Sequence, residues 1–98
     1  MSMKKDCYEL LKKIPCGKVS TYKELANALN TKSYRYMGKI LSENQELIKI
    51  PCHRIVKSNS ELGGYAEGIQ KKKELLKKEG LEIKKGKILN FDKAFFKF

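Results

Sequence analysis

Ninety-eight residues, 41% of them hydrophobic and 34% charged, suffice for a single domain that buries roughly 60–65% of its unfolded surface. That balance excludes a disordered tail, and no apolar run approaches the roughly 20 residues that cross a bilayer. Twenty-two Lys and Arg against eleven Asp and Glu leave a net charge of +11. On a domain this small, such an excess points to a polyanionic partner, nucleic acid first, rather than to a generally lysine-rich proteome.

The opening MSMKKDCYELLKK is basic, but Asp6, Glu9, Lys12 and Lys13 interrupt the apolar stretch a signal peptide requires. The expectation is an intracellular protein. Residues 4–14 have helical periodicity and end at Pro15 and Gly17. Cys7 falls on their apolar face with Tyr8, Leu10, Leu11 and Ile14, where a thiol serves as a small hydrophobe. Lys18-Val19-Ser20 is short and extended. Thr21 and Glu24 have the spacing of a capping box, which starts a helix with Leu25, Ala26, Ala28 and Leu29 inward. After the polar turn 30–33, with Thr31 or Ser33 as cap, a further helix over about 33–43 carries Tyr34, Met37, Ile40 and Leu41 at helical spacing. Two short helices across a tight turn form a helix-turn-helix pattern. Arg35 and Lys39, one turn apart, suit a face that meets phosphates or bases, although a solvated basic face reads the same way.

Beyond Asn44, the apolar run Leu47-Ile48-Lys49-Ile50 is closed by Pro51. Residues 55–68 have strand-then-loop chemistry. Ile69 to Glu79 form a helix with Leu75 and Leu76 inward, five lysines largely outward, and Gly80 as its stop. Residues 81–98 are rich in lysine and end with Phe91, Phe95, Phe96 and Phe98, some of which are expected to pack back on the domain.

Cys7, Cys16 and Cys52 are odd in number and contain no CxxC pair, and His53 is the only histidine. A disulfide framework and a structural zinc are therefore not expected. Within Ile50-Pro51-Cys52-His53-Arg54-Ile55-Val56, the histidine adjoins a cysteine. A thiol becomes a good nucleophile only when a base removes its proton. Neighbouring side chains need not face each other, so the dipeptide alone is equally consistent with a buried cysteine beside a chance histidine. A papain-like protease is a poor rival, because its Cys and His lie far apart in a longer chain.

Read together, GKVSTYKELA (17–26), IPCHRIV (50–56), GGYAEG (63–68) and KKEG (77–80) closely resemble the active domain of the O6-alkylguanine-DNA alkyltransferases, or methylated-DNA–protein-cysteine methyltransferases. The resemblance runs from about residue 7 to residue 83. It implies a mainly α, winged-helix-like domain with a helix-turn-helix and a short β element. The active-site and DNA-binding domain would span 1–83 and a lysine- and phenylalanine-rich tail 84–98, without the N-terminal domain usual in the family.

The function implied is DNA repair by direct, stoichiometric transfer of an alkyl group from O6-alkylguanine in double-stranded DNA to Cys52, which consumes the protein. O4-alkylthymine is an open second substrate. The family flips the target base from the minor-groove side, since the alkylated oxygen lies on a stacked, paired edge. Cys52 matches the nucleophile and His53 its base, acting through water. Glu79 matches the carboxylate that orients the histidine, and Asn44 the asparagine that ties the recognition helix to the active-site segment. Tyr22 matches a tyrosine that helps rotate the base and donates to guanine N3, and Arg35 the arginine that fills the gap left in the stack. DNA contacts are expected further from Lys23, Tyr34, Gly38, Lys39 and Ser58. The substrate pocket is expected from Tyr65, Ala66, Glu67, Ile50 and Pro51. No cofactor or metal is implied; a monomer acting in the cytoplasm at the nucleoid is expected.

The chain departs from the family at Ala66, where many members have serine, at Glu67, where many have glycine, and at Tyr36, where a small residue is common. These bear on bulky adducts and on approach to the minor groove. Two rival readings remain. Alkyltransferase-like proteins bind lesions without transfer and usually have tryptophan at the cysteine position, whereas this chain has Cys52 and no tryptophan. A winged-helix regulator would instead prefer one undamaged sequence.

Overall fold

The computed structural model describes residues 3–46 and 49–98; Leu47 and Ile48 of the expected apolar run lie outside the described residues. Helix α1 spans Met3–Leu11 and buries Cys7 and Leu11. It is shorter than the periodicity over 4–14 suggested. Lys13 and Ile14 turn to three-residue bonds with Leu10 and Leu11, and Pro15 disfavours helical backbone in the residue before it.

Strand β1 (Ser20–Thr21) leads directly into α2 (Tyr22–Ala28). Thr21 Oγ1 accepts from the Glu24 amide at 3.0 Å, the N-cap bond expected from the sequence. Asn30, with φ +57, makes the left-handed turn out of α2, a conformation asparagine tolerates better than most residues. Helix α3 (Tyr34–Ser42) starts from Ser33, whose hydroxyl accepts from the Tyr36 amide at 3.3 Å. Thr31 supports that cap by accepting from the Ser33 amide at 3.2 Å. Leu25, Ala26, Met37, Ile40 and Leu41 pack α2 against α3, and the Tyr8 hydroxyl donates to the Ile40 carbonyl at 2.8 Å to fasten α1 to the pair.

After a 3-10 turn at Cys52–Arg54, strand β2 (Ile55–Val56) pairs with β1 in parallel, Ser20 opposite Ile55 and Thr21 opposite Val56. A parallel pair needs a crossover, and the helix-turn-helix supplies it. Successive strand residues face opposite sides. Ile55 therefore enters the core formed by α1, α2 and α3, whereas Val56 enters a second core with Val19, Leu62, Leu76, Ile88 and Ala94.

Helix α4 (Ile69–Lys78) buries Leu75 and Leu76 as expected, and Gly80 follows at φ +95. One of its lysines corrects the outward reading. Lys72 is fully buried, because it lies three and four residues before Leu75 and Leu76 and so shares their face. The division expected at residue 83 falls within β3 (Ile83–Lys84), which pairs antiparallel with β4 (Lys87–Ile88). Helix α5 (Phe91–Ala94) follows, and Val19 bridges to Phe95. Phe91 packs against the second core, and Phe96 and Phe98 against the first. Among the described residues no helix is long and apolar enough to cross a membrane.

Candidate active site

A cleft of about 790 Å³ opens between the helix-turn-helix and the loop after β2. Tyr22 and Lys23 line it from α2; Tyr34, Arg35, Gly38, Leu41 and Ser42 line it from α3. Their spacing of one, four, seven and eight residues marks one helical face. Lys39 is off that face, exposed beside it. Lys57, Ser58, Asn59, Gly63, Gly64, Tyr65 and Ala66 complete the rim, and Cys52 also lines the cleft. Exposed Glu67 is not among the lining residues, nor are Ile50 and Pro51, which are buried beneath the turn. Gly63 has φ +74, and a Cβ there would come within 3.0 Å of the Tyr22 hydroxyl, so only glycine lets the loop lie against that ring.

The 3-10 turn separates the two neighbours that the sequence placed side by side. Cys52 looks into the cleft at 4% exposure, while His53 is fully buried behind it. Asn44 Nδ2 donates to the Ile50 carbonyl at 2.8 Å and lies 3.4 Å from Cys52 Sγ. It thus clamps the end of α3 to the cysteine turn. Burial pushes the Cys52 thiol up from its ordinary value. The Asn44 hydrogen bond, the Lys72 charge and the backbone amide of Cys52 itself pull against it.

His53 Nε2 is 2.8 Å from Glu79 Oε2. Arg54 holds the same carboxylate through Nε at 2.9 Å to Oε1 and Nη2 at 2.8 Å to Oε2, while its Nη1 donates to the Ile14 carbonyl at 2.7 Å. Burial favours the neutral Glu79 carboxyl, but the hydrogen bonds from Arg54 and His53 and the charge of Arg54 outweigh it and hold the group below the usual carboxylate range. An ionised carboxylate only accepts, so the proton of a neutral imidazole resides on Nε2 and the lone pair on Nδ1. Nδ1 is buried and has no hydrogen-bond partner among the described residues. Burial also lowers the His53 value, against the pull of Glu79, which keeps the ring neutral and able to accept a proton.

Lys72 Nζ donates to the Ile55 carbonyl at 2.6 Å and the Gly64 carbonyl at 3.1 Å, and lies 6.0 Å from the centre of the Tyr22 ring. It ties β2 to the cleft loop. Burial pushes its value down to about 7, with Cys52 acting in the opposite direction. Neither Lys72 nor Arg54 was singled out for a site role from the sequence. Arg54 stood within the PCHR motif; Lys72 could have been found by its place on the Leu75–Leu76 face.

The sequence model described as "6-O-methylguanine DNA methyltransferase, DNA binding domain" matches residues 2–81. The chain belongs to this family. The methylated-DNA–protein-cysteine methyltransferase of Saccharolobus islandicus (strain L.S.2.15 / Lassen #1) is 49% identical over 71 residues, 72% of this chain and 46% of the relative. The chain spans about half the length of the curated relatives it matches first. The crystal structure of O6-methylguanine-DNA methyltransferase from Pyrococcus kodakaraensis strain KOD1 superimposes with a TM-score of 0.75 at 43% identity, covering 82% of this chain and 47% of that one. The S. pombe Atl1 structure, in complex with damaged DNA containing O6-carboxymethylguanine, matches with a TM-score of 0.85 at 29% identity, covering 98% and 95%. The expected fold, mainly helical with a helix-turn-helix and short strands, is the fold of this DNA-repair alkyltransferase family's DNA-binding domain.

Proposed function

We propose that this chain transfers an alkyl group from O6 of guanine in duplex DNA to Cys52 Sγ, once per molecule. The observation that carries the reading is the cysteine facing a base-sized cleft with a neutral, carboxylate-held imidazole behind it. The Cys52 proton passes through a water to His53 Nδ1, and Glu79 stabilises the imidazolium that results. The thiolate attacks the alkyl carbon, the S–C bond forms as the C–O6 bond breaks, and the electron pair leaves with guanine. Tyr22 is held in its protonated form by burial, which raises its value. Its hydroxyl can therefore donate to the ring nitrogen N3 of the departing base. Asn44 holds the turn that presents the sulfur.

Arg35, exposed on the lining face of α3, enters the stack where the base leaves. Lys23, Tyr34, Gly38, Lys39 and Ser58 meet the DNA around it. Tyr65 and Ala66 wall the extruded base, with Glu67 at the outer edge. Alanine at 66 supplies no hydroxyl to the guanine oxygen, and bulky adducts meet a glutamate at the lip.

Incubation with duplex DNA containing O6-methylguanine, followed by intact and peptide mass spectrometry, should show one added methyl group on Cys52. The Cys52→Ala variant should bind the duplex and gain none. The match to S. pombe Atl1 over nearly the whole of both chains favours one second reading, lesion binding without transfer. Tight, lesion-selective binding with no gain in mass would establish it and overturn transfer.

A further inference from the structure

We propose that the β3–β4 hairpin is a second DNA-backbone contact, whose lysine tip grips phosphates of the duplex beyond the cleft. This rests on the proposed function insofar as that places DNA over the cleft. Lys84, Lys85, Gly86 and Lys87 form the tip, and all four are exposed. Lys85 and Gly86 both have positive φ, +54 and +75, as the two-residue primed turn of a tight hairpin demands. Glycine, asparagine or aspartate is the ordinary choice at the first of these positions: glycine has no Cβ to clash, and the short polar side chains of the other two hydrogen-bond locally, so the conformation costs lysine more. Lysine at an exposed, strained position has no packing reason; a charge placed at the apex is what it supplies.

The hairpin is also fastened to the cleft rim. Glu61 bridges to Lys87, the Leu62 amide donates to the Gly86 carbonyl at 3.2 Å, and the Ile88 amide donates to the Ser60 carbonyl at 3.0 Å. The same loop contributes Lys57, Ser58 and Asn59 to the cleft lining. The basic tip therefore continues the rim that the duplex would cover. No ion pair among the described residues involves Lys84, Lys85 or Lys87. A duplex strand presents a phosphate about every 3.4 Å along the helix axis, so lysines on a hairpin tip can engage adjacent phosphates.

The test is the triple variant K84T/K85N/K87T, which keeps β-compatible residues in the strands and puts asparagine at the left-handed position. Duplex binding is followed by fluorescence anisotropy against salt. Each lost phosphate contact lowers the slope of log K against log salt by about 0.9, so the expected reduction is about 1–3, with the thermal midpoint retained. Methyl transfer from free O6-methylguanine base should be unchanged, because the free base has no backbone to grip. An unchanged salt slope overturns the contact. So does lost binding to anionic lipid vesicles with duplex binding intact, which would assign the tip to a membrane surface. A reduced slope in a protein whose wild type transfers no methyl group would defeat the proposed reaction and leave this contact standing.

Discussion

Glu79→Gln separates the orienting role of the carboxylate from its bulk. The carboxylate accepts from His53 Nε2 and, through both oxygens, from Arg54, with side chains only 13% and 16% exposed for Glu79 and Arg54. Removing one member of a buried pair costs about 3–5 kcal/mol. The pair here is not wholly buried and the amide oxygen can keep one bond to Arg54, so a loss of about 2–3 kcal/mol is expected. For a domain of this size that lowers Tm by about 10–20 °C. The sign with pH follows from the lowered Glu79 value. Its stabilisation is complete above the ordinary 4.5 and is lost as pH falls through the folded value. The gap between wild type and variant in urea titrations should therefore be widest above pH 4.5 and close below it.

The chemical consequence is larger. If the amide NH₂ faces Nε2, the ring proton must move to Nδ1, which then has no lone pair for the thiol proton. General-base catalysis contributes about 10²–10⁴-fold, so single-turnover transfer at neutral pH should slow by at least 10²-fold. Transfer at the wild-type rate, in a variant that melts at the expected lower temperature, would refute the assignment of His53 as the base.

Other perturbations test the same site from different sides. Methylation of Cys52 should lower Tm by at least about 4 °C in calorimetry before and after reaction. Cys52 is 4% exposed, with Asn44 Nδ2 3.4 Å from its sulfur, and an added methyl in packed surroundings costs about 1–3 kcal/mol. Lys72→Met removes a cation whose value burial has pushed from 10.5 to about 7. That contribution is full above pH 10.5 and lost as pH falls toward 7, so the stability of wild type relative to the variant should rise across this range. Arg35→Ala should reduce transfer from a lesion in duplex DNA far more than it reduces non-specific duplex binding; equal losses would remove its role in base extrusion.

Much of the local structure was legible because short-range chemistry decides it. Thr21 three residues before Glu24, Ser33 before the Tyr34–Ser42 face, and Gly80 after Lys78 each mark a helix end through a bond or a φ value made within a few residues. The motif segments alone carry the resemblance to the family, and the structure gathers most of the residues that this resemblance implies around one cleft. Lys72 resisted the same reading: on composition it was one lysine among five on its helix, and only its phase relative to Leu75 and Leu76 hinted otherwise. The boundary at residue 83 is where the family resemblance ends. The antiparallel partner of Ile83–Lys84 comes four residues later, and motif matching does not register backbone pairing.

The linear chain by itself determined the helix-turn-helix, the single nucleophile candidate beside the single histidine, and the basic surface, since each depends on residue type and near-neighbour spacing. Only the tertiary structure decided that Cys52 lines the cleft while His53 is buried behind it, that Glu79 and Arg54 meet behind them, and that a lysine is buried against the Ile55 and Gly64 carbonyls. Those contacts join residues 8 to 25 positions apart. Their geometry is set by the packing of two cores around a two-residue parallel pair, a property of the folded whole that no local window contains.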